Sequence, residues 1–284
     1  MILVTGASGN NGIELIKLLS KSGVRLRGMT RKPQPPTTRS PGVEFVTADF
    51  DDADSIRRTL EGVEQAFLVT PSSERVEEQQ LRFVELARTA GVRNLVYLSQ
   101  LHAARKSPVR FLRYHAVVED AISESGMKFT NLRPNLYMQG LLAFASSIGS
   151  EGRFFAPIGQ ARVSIVDVRD TAAVAAAALT ESGHDGKTYD LTGPEALTHG
   201  EIAAQLSDAL GKQVTFIDIP EETMRNALNG FGLPEWQADG LIEDYAHYRR
   251  GEAETISTAT QDVTGHQARS FSTFAQDYKQ AFLQ

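Results

Sequence analysis

The chain has 284 residues, and 29 lysines and arginines set against 35 aspartates and glutamates leave a formal charge of −6. It contains no cysteine, which excludes disulfides, thiolate catalysis and cysteine-ligated zinc or iron–sulfur sites. A mildly acidic chain gains little from polyanions, so nucleic acid is not an expected partner.

Met1-Ile2-Leu3-Val4 runs directly into an expected strand, without the basic start, long apolar stretch and small-residue cleavage site of a secretory signal. The longest apolar run, Ala172 to Leu179, is far short of the roughly 20 residues a membrane span requires. A cytoplasmic protein with no membrane segment is expected.

In chain order, short β-rich apolar runs predict strands at Ile2–Thr5, Arg25–Thr30, Glu44–Thr47, Gln65–Thr70, Asn94–Ser99 and Lys128–Arg133. Between them, Ile13/Ile16/Leu19, Ile56/Leu60, Leu81/Val84/Ala87 and Val117/Ile122 carry helical spacing. Strands alternating with helices predict βαβ units and a parallel sheet covered on both faces. After about residue 150 the rhythm changes. Arg162–Val168 predicts a strand, Thr171–Leu179 a helix and Thr188–Leu191 a short strand. Thr198 three residues before Glu201 is a capping-box pattern that opens a helix to about Leu210, and the tail from Glu221 reads as mostly helical. The expected fold is therefore α/β: a Rossmann-type doubly wound parallel sheet over residues 1–150, then a smaller, mostly helical lobe over 151–284, some of whose strands return to the main sheet.

Gly6, Gly9 and Gly12 in Val4-Thr5-Gly6-Ala7-Ser8-Gly9-Asn10-Asn11-Gly12 follow the first strand and open the first helix. In that context one glycine permits the tight turn, one lets backbone amides approach a pyrophosphate, and one lets helix pack on strand. Residues 6–12 are thus expected to hold a dinucleotide. Cofactor type is read at the end of the second strand, where an NAD enzyme carries an acid roughly 20 residues beyond the glycines. Here Thr30-Arg31-Lys32-Pro33 offers two bases and no acid. A guanidinium grips a 2′-phosphate that a carboxylate would repel, so Arg31 and Lys32 predict NADP, with NADPH preferred over NADH; Arg39 is a weaker third candidate. Ligands of open parallel sheets sit beyond the carboxyl ends of the strands, which brings in Asp49 and Phe50, then Thr70, Pro71 and Ser72, then Ser99, Gln100 and Leu101.

With these residues in hand, the chain resembles the NmrA-like family of atypical short-chain dehydrogenases/reductases over nearly its whole length. The resemblance is carried by Thr5–Gly12, Val96-Tyr97-Leu98-Ser99, Phe129-Thr130-Asn131-Leu132-Arg133-Pro134, Val166-Asp167-Val168-Arg169-Asp170 and Tyr189-Asp190-Leu191-Thr192-Gly193-Pro194. It implies an extended Rossmann fold with NADP(H), Pro134 beside the cofactor, and either reduction of quinones or dyes, or redox sensing without turnover.

The resemblance also implies a departure. Catalytic members of the wider superfamily carry Tyr-x-x-x-Lys, but here the helix after the fifth strand reads Phe111-Leu112-Arg113-Tyr114-His115-Ala116-Val117-Val118-Glu119. With Glu119 in register, Phe111 falls at the tyrosine and His115 at the lysine. Tyr114 points about 100° away from His115 on a helix and is a poor substitute. A quinone needs mainly orientation over the nicotinamide, since its reduced form takes a proton from water. His115 is then a candidate to hold the nicotinamide ribose or to supply a proton. Tyr137, Met138, Phe144, Phe154, Phe155, Phe231 and Trp236 offer flat apolar surfaces for a planar acceptor. Tyr137, after Arg133-Pro134-Asn135, has the best placed claim and joins His115 as a catalytic candidate; Gln100, Leu101, Tyr137 and Phe155 are the expected substrate contacts.

The expectation is an NADPH-dependent reductase of a quinone or similar conjugated aromatic acceptor. A non-catalytic NADP(H) sensor that binds a regulatory protein is the alternative, and reduction of an isoflavone-like or imine substrate is weakened by the missing lysine. No histidine pair has close metal-ligand spacing, so no metal is assigned. Nothing calls for a flavin, and fold-level analogy permits a monomer or a homodimer.

Overall fold

A computed structural model describes residues 1–33 and 42–283; Arg39 lies outside the described residues. In chain order the first elements are β1 (Ile2–Val4), α1 (Asn10–Leu19), β2 (Leu26–Thr30), β3 (Val43–Thr47), α2 (Ala53–Leu60), β4 (Gln65–Leu68), α3 (Val76–Thr89), β5 (Asn94–Leu98), α4 (Arg110–Glu124) and β6 (Lys128–Pro134). There follow α5 (Ala145–Glu151), β7 (Arg153–Ala156), α6 (Val168–Thr180), β8 (Lys187–Leu191), α7 (His199–Leu210) and β9 (Thr215–Asp218). Four helices close the chain: α8 (Glu221–Gly230), α9 (Glu235–Arg249), α10 (Ala259–Thr264) and α11 (Phe271–Asp277). Among the described residues no helix is long and apolar enough to cross a membrane.

Seven strands form one sheet in the order β3-β2-β1-β4-β5-β6-β8. Every pair from β3 to β6 is parallel, with Ile2 opposite Leu26 on one side and Gln65 on the other. The order reverses direction at β1 and β4, which makes their carboxyl ends the topological switch point of a Rossmann-type fold. Ile2, Leu3 and Val4 are all buried, as a strand covered on both faces requires. Leu3, Ile56, Leu68, Phe83, Leu95 and Val118 share one core.

The chain divides into two compact units. The first comprises Met1–Ser107, Leu112–Arg133 and Thr171–Tyr189; the second comprises Pro108–Phe111, Pro134–Asp170 and Asp190–Gln284. In the second unit β7 pairs in parallel with β9, and Phe154, Leu206, Phe271, Phe274 and Phe282 are buried in one cluster. The capping box at the start of α7 forms as the sequence predicts, with Thr198 Oγ1 accepting from Glu201 N and Glu201 accepting from Thr198 N.

One predicted element fails. Arg162–Val168 makes no ladder, only isolated bridges from Val163 to Leu197 and from Val166 to Tyr137. Its backbone bonds go to unrelated segments: Ser164 N donates to Ala253 O and Val166 N to Leu136 O. The segment is buried as its apolar pattern demands, without one partner strand.

Candidate active site

β1 ends at Val4 and the chain turns through residues 5–8 into α1. Thr5 fastens the turn to the residue after β4, its Oγ1 donating to Val69 O at 2.8 Å and accepting from Val69 N at 2.8 Å. Gly6 has φ +57°, a left-handed conformation that side chains rarely adopt. Gly12 is fixed by space instead: a Cβ there would lie 2.3 Å from Gly6 O and 2.8 Å from Ala7 Cα. Gly9 caps α1 and offers no side chain to its first amides, while Ser8, Gly9 and Asn10 are exposed. Uncapped amides at the positive end of a helix suit a pyrophosphate, so residues 6–12 fit the diphosphate of a dinucleotide.

Beside this turn lies a cleft of about 450 Å³. Gly6 and Ser8 line it from the turn, Arg31 from the end of β2, Asp49 and Phe50 from the end of β3, and Pro71 from the end of β4. The cleft therefore gathers six of the residues that sequence position nominates. Lys32 is exposed but outside its wall, as are half-buried Thr70 and Ser72. Thr30 shapes the turn that presents Arg31, its Oγ1 donating to Lys32 O at 2.8 Å. The wall also carries Asp51, Glu74 and Arg75. Arg75 is engaged by Glu78 at 3.2 Å and by Asp51 at 2.9 Å; the Glu78 hydrogen bond first, then the Asp51 charge, raises its pKa above the usual arginine value. Among the described residues Arg31 is in no ion pair, so its guanidinium remains for an anion. Arg75, beyond the nominated Thr70–Ser72, carried no signal in the sequence.

Of the other nominated groups of the first unit, His115 and Ser99 are bound up in two buried networks. His115 is 8% exposed, and its Nδ1 lies 2.6 Å from Tyr97 Oη. That hydroxyl donates to Gln80 Oε1 at 2.7 Å, and Gln80 Nε2 donates to Thr70 Oγ1 at 2.8 Å. With the tyrosine proton directed at Gln80, His115 Nδ1 is the donor toward Tyr97. Burial first, then the Arg133 charge, lowers the His115 pKa to about 3. Burial likewise holds the Tyr97 phenol far above its ordinary value. In the second network Glu119 accepts from Ser99 Oγ at 2.5 Å and from Arg133 Nε and Nη2 at 2.9 and 2.5 Å. The Ser99 hydroxyl is thus committed to Glu119. Gln100 is half-buried, whereas Leu101 is 3% exposed and packs as core. Tyr97 and Gln80, which join α3, β5 and α4, were not singled out as site residues by sequence.

The second unit contains a cavity of about 230 Å³ lined by Tyr137, Met138, Phe144, Phe154, Phe155, Met224 and Tyr245 among others. Five of the seven apolar candidates named from sequence meet there. Phe231 stands 83% exposed, and Trp236 packs 5.4 Å from Phe111, centroid to centroid; neither lines it. Phe111 itself is buried against Gly240, where a Cβ would lie 2.2 Å from the ring. Pro134 is buried at the end of β6. His199 also lines the cavity. It is 4% exposed, its Nδ1 has no hydrogen-bond partner, and burial lowers its pKa to about 4 against a weaker opposing pull from Asp218. No group of three or more His, Asp or Glu among the described residues is arranged to hold a metal ion.

The sequence model of the NmrA-like family matches residues 1–276. The chain belongs to that family. It is 36% identical over 287 residues to the NAD(P)H azoreductase of Xenophilus azovorans, with 99% of each chain covered. It is 37% identical over 283 residues to the (4-alkanoyl-5-oxo-2,5-dihydrofuran-3-yl)methyl phosphate reductase of Streptomyces griseus, again with 99% of each covered. Among solved structures, the NADPH-dependent quinone oxidoreductase of Escherichia coli in complex with NADPH superposes with a TM-score of 0.87 at 30% identity, covering 98% of this chain and 99% of that one. This NmrA-like chain is thus similar over 98–99% of its length to proteins named as reductases or oxidoreductases.

Proposed function

We propose that this protein is an NADPH-dependent reductase of quinones or similar conjugated aromatic acceptors. The observation that carries the reading is the cleft beside the uncapped start of α1, with Arg31 in its wall and free of any ion pair to a described residue. Residues 6–12 would hold the pyrophosphate, Arg31 the 2′-phosphate, and Asp49 and Phe50 the adenosine end. A bound nicotinamide supplies the hydride; the chain's own part is to bind, orient and exclude water. The acceptor rests against Tyr137 and Phe155.

The names of the relatives point to two kinds of acceptor, apolar conjugated molecules and a phosphate ester. The described wall of the second unit's cavity contains no lysine or arginine, which disfavours the phosphate ester. Neither His115 nor His199 is held as an acid at neutral pH. With Phe111 and His115 standing where the superfamily's tyrosine and lysine fall, the chain lacks the usual proton relay. It would suit an acceptor whose reduced form takes its proton from water.

The test is NADPH consumption by the purified protein with a naphthoquinone, an azo dye and a phosphorylated butenolide in parallel. Saturable turnover of the first or second, in preference to the third, is expected. Turnover of the phosphate ester alone would contradict the acceptor class. Tight NADPH binding with no turnover of any would replace the reductase by a dinucleotide sensor.

A further inference from the structure

Arg110, the first residue of α4, belongs to the second unit and directs its donors at a single helix, α9. Its backbone amide donates to Glu243 Oε2 at 2.7 Å, and its Nε and Nη2 donate to Glu243 Oε1 at 3.0 and 2.7 Å. Nη1 donates to Trp236 O at 3.0 Å, and Nη2 reaches Asp239 Oδ2 at 3.4 Å. The guanidinium also lies 5.6 Å from the centre of the Trp236 ring, and the next residue, Phe111, packs on Gly240. Trp236, Asp239, Gly240 and Glu243 recur at helical spacing, so one stripe of α9 carries the whole clamp.

Leu241 and Tyr245 of the same helix line the second unit's cavity. With about 100° between successive residues, their stripe lies nearly opposite the clamped one. α9 is thus a spacer about 10 Å thick, with Arg110 behind it and the cavity in front. α8 completes that wall with Met224 and Leu228. Met224 is its one buried residue, and Arg225 ties it to Asp239 of the clamp. Arg110, Asp239 and Glu243 stand outside the cavity's described wall, yet they fix where its α8–α9 side stands. The cavity measures about 230 Å³, below the roughly 300–1,000 Å³ typical of drug-sized ligands. At that size a small displacement of one wall changes what fits.

We propose that Arg110 is a positioning residue that sets the width of the cavity, and through it the size of acceptor admitted. Glu243 gives the guanidinium a forked grip that a lysine cannot reproduce, and Asp239 passes the hold on to α8. The inference rests on the reductase reading for the identity of the acceptor, and on the two faces of α9 for how Arg110 acts.

The test follows binding and NADPH-dependent reduction of a two-ring naphthoquinone and of three-ring phenanthrenequinone by the full chain. It compares the parent with Arg110→Gln, Glu243→Gln and Arg110→Lys. Each glutamine variant should weaken naphthoquinone binding about three- to tenfold, the effect of one lost hydrogen bond on the wall. Phenanthrenequinone should lose less, so that the ratio of the two affinities shifts toward the larger ring system. At saturation kcat should change less than about twofold, with the KM for NADPH unaltered. Arg110→Lys, which keeps the charge without the fork, should fall between parent and Arg110→Gln. Hydrogen exchange should quicken in α8 and the first half of α9 in both glutamine variants, while α7 stays protected. Faster exchange with an unchanged affinity ratio would reduce the clamp to a structural contact and overturn the proposal. Unchanged exchange, or no binding of either quinone to the parent, would overturn it too. A shifted affinity ratio without turnover of either quinone would contradict the reductase reading and leave this one standing.

Discussion

Tyr97 Oη lies 2.6 Å from His115 Nδ1 in the interior of the first unit, and the contact ties β5 to α4. Gln80 and Thr70 extend it to α3 and the end of β4, next to the Pro71 that lines the cleft. We propose that His115 positions these elements rather than donating a proton, since it is buried and its pKa is lowered to about 3. Tyr97→Phe would leave Gln80 Oε1 and His115 Nδ1 buried without partners, each at a cost of about 1–3 kcal/mol. The variant is expected to lose about 2 kcal/mol in urea unfolding and to raise the KM for NADPH more than it lowers kcat. An unchanged midpoint would show that the network contributes nothing.

Acid should weaken the fold through its buried histidines. Both ordinary pKa values are 6.5, and burial lowers them to about 3 for His115 and about 4 for His199. Between those values and 6.5 the unfolded chain binds protons that the native state refuses. The histidine contribution is thus complete above 6.5 and is lost as pH falls, by at most about 1.4 kcal/mol per unit for each group. His199→Phe should flatten that slope by one proton between about pH 4 and 6. It should also stabilise the protein at neutral pH by about 1 kcal/mol, since a buried unmatched nitrogen is removed. Urea titrations across this range read both effects, and a variant less stable than the parent would contradict them.

Most of the fold was legible in the sequence because its constraints are local. Strands such as β2 and β5 follow from apolar runs bounded by turn residues, and observed ends differ from the expected ones by one or two residues. Gly12 was legible for the same reason, its neighbour being the backbone of Gly6 six residues earlier. The Tyr97–His115 contact was not, because it pairs a strand with the face of a helix that only the sheet's packing brings opposite. His199 was one histidine among several until segments from Leu136 to Tyr245 closed a cavity around it. At Arg162–Val168 the apolar pattern reported burial correctly and pairing wrongly, since alternation encodes which side is buried and not what lies beside it.

Gly12→Ala tests the turn. Its Cβ would meet backbone atoms at 2.3 Å, so α1 must move away from the turn at the point where its amides face the ligand. Loss of measurable NADPH binding is expected, with a folded core reported by circular dichroism. Retention of parental affinity would show that the helix start does not hold the pyrophosphate.

Phe111→Tyr tests the proposed correspondence of this position with the superfamily tyrosine. The ring end of Phe111 abuts Gly240, leaving no room for a hydroxyl. The substitution should destabilise the protein by about 1–3 kcal/mol through overpacking and confer no reduction of simple ketones, alone or with His115→Lys. Ketone turnover in the double variant would show that the position is a dormant relay.

The most direct test of the account is steady-state reduction of a naphthoquinone with NADPH and with NADH, by the parent protein and by Arg31→Glu. The parent should favour NADPH in kcat/KM by about tenfold or more, as one charge-assisted phosphate contact warrants. Arg31→Glu should remove that preference through the KM for NADPH while leaving turnover with NADH largely intact. Equal loss of both cofactors in the variant, or a parent that prefers NADH, would contradict the assignment of the cleft to NADPH.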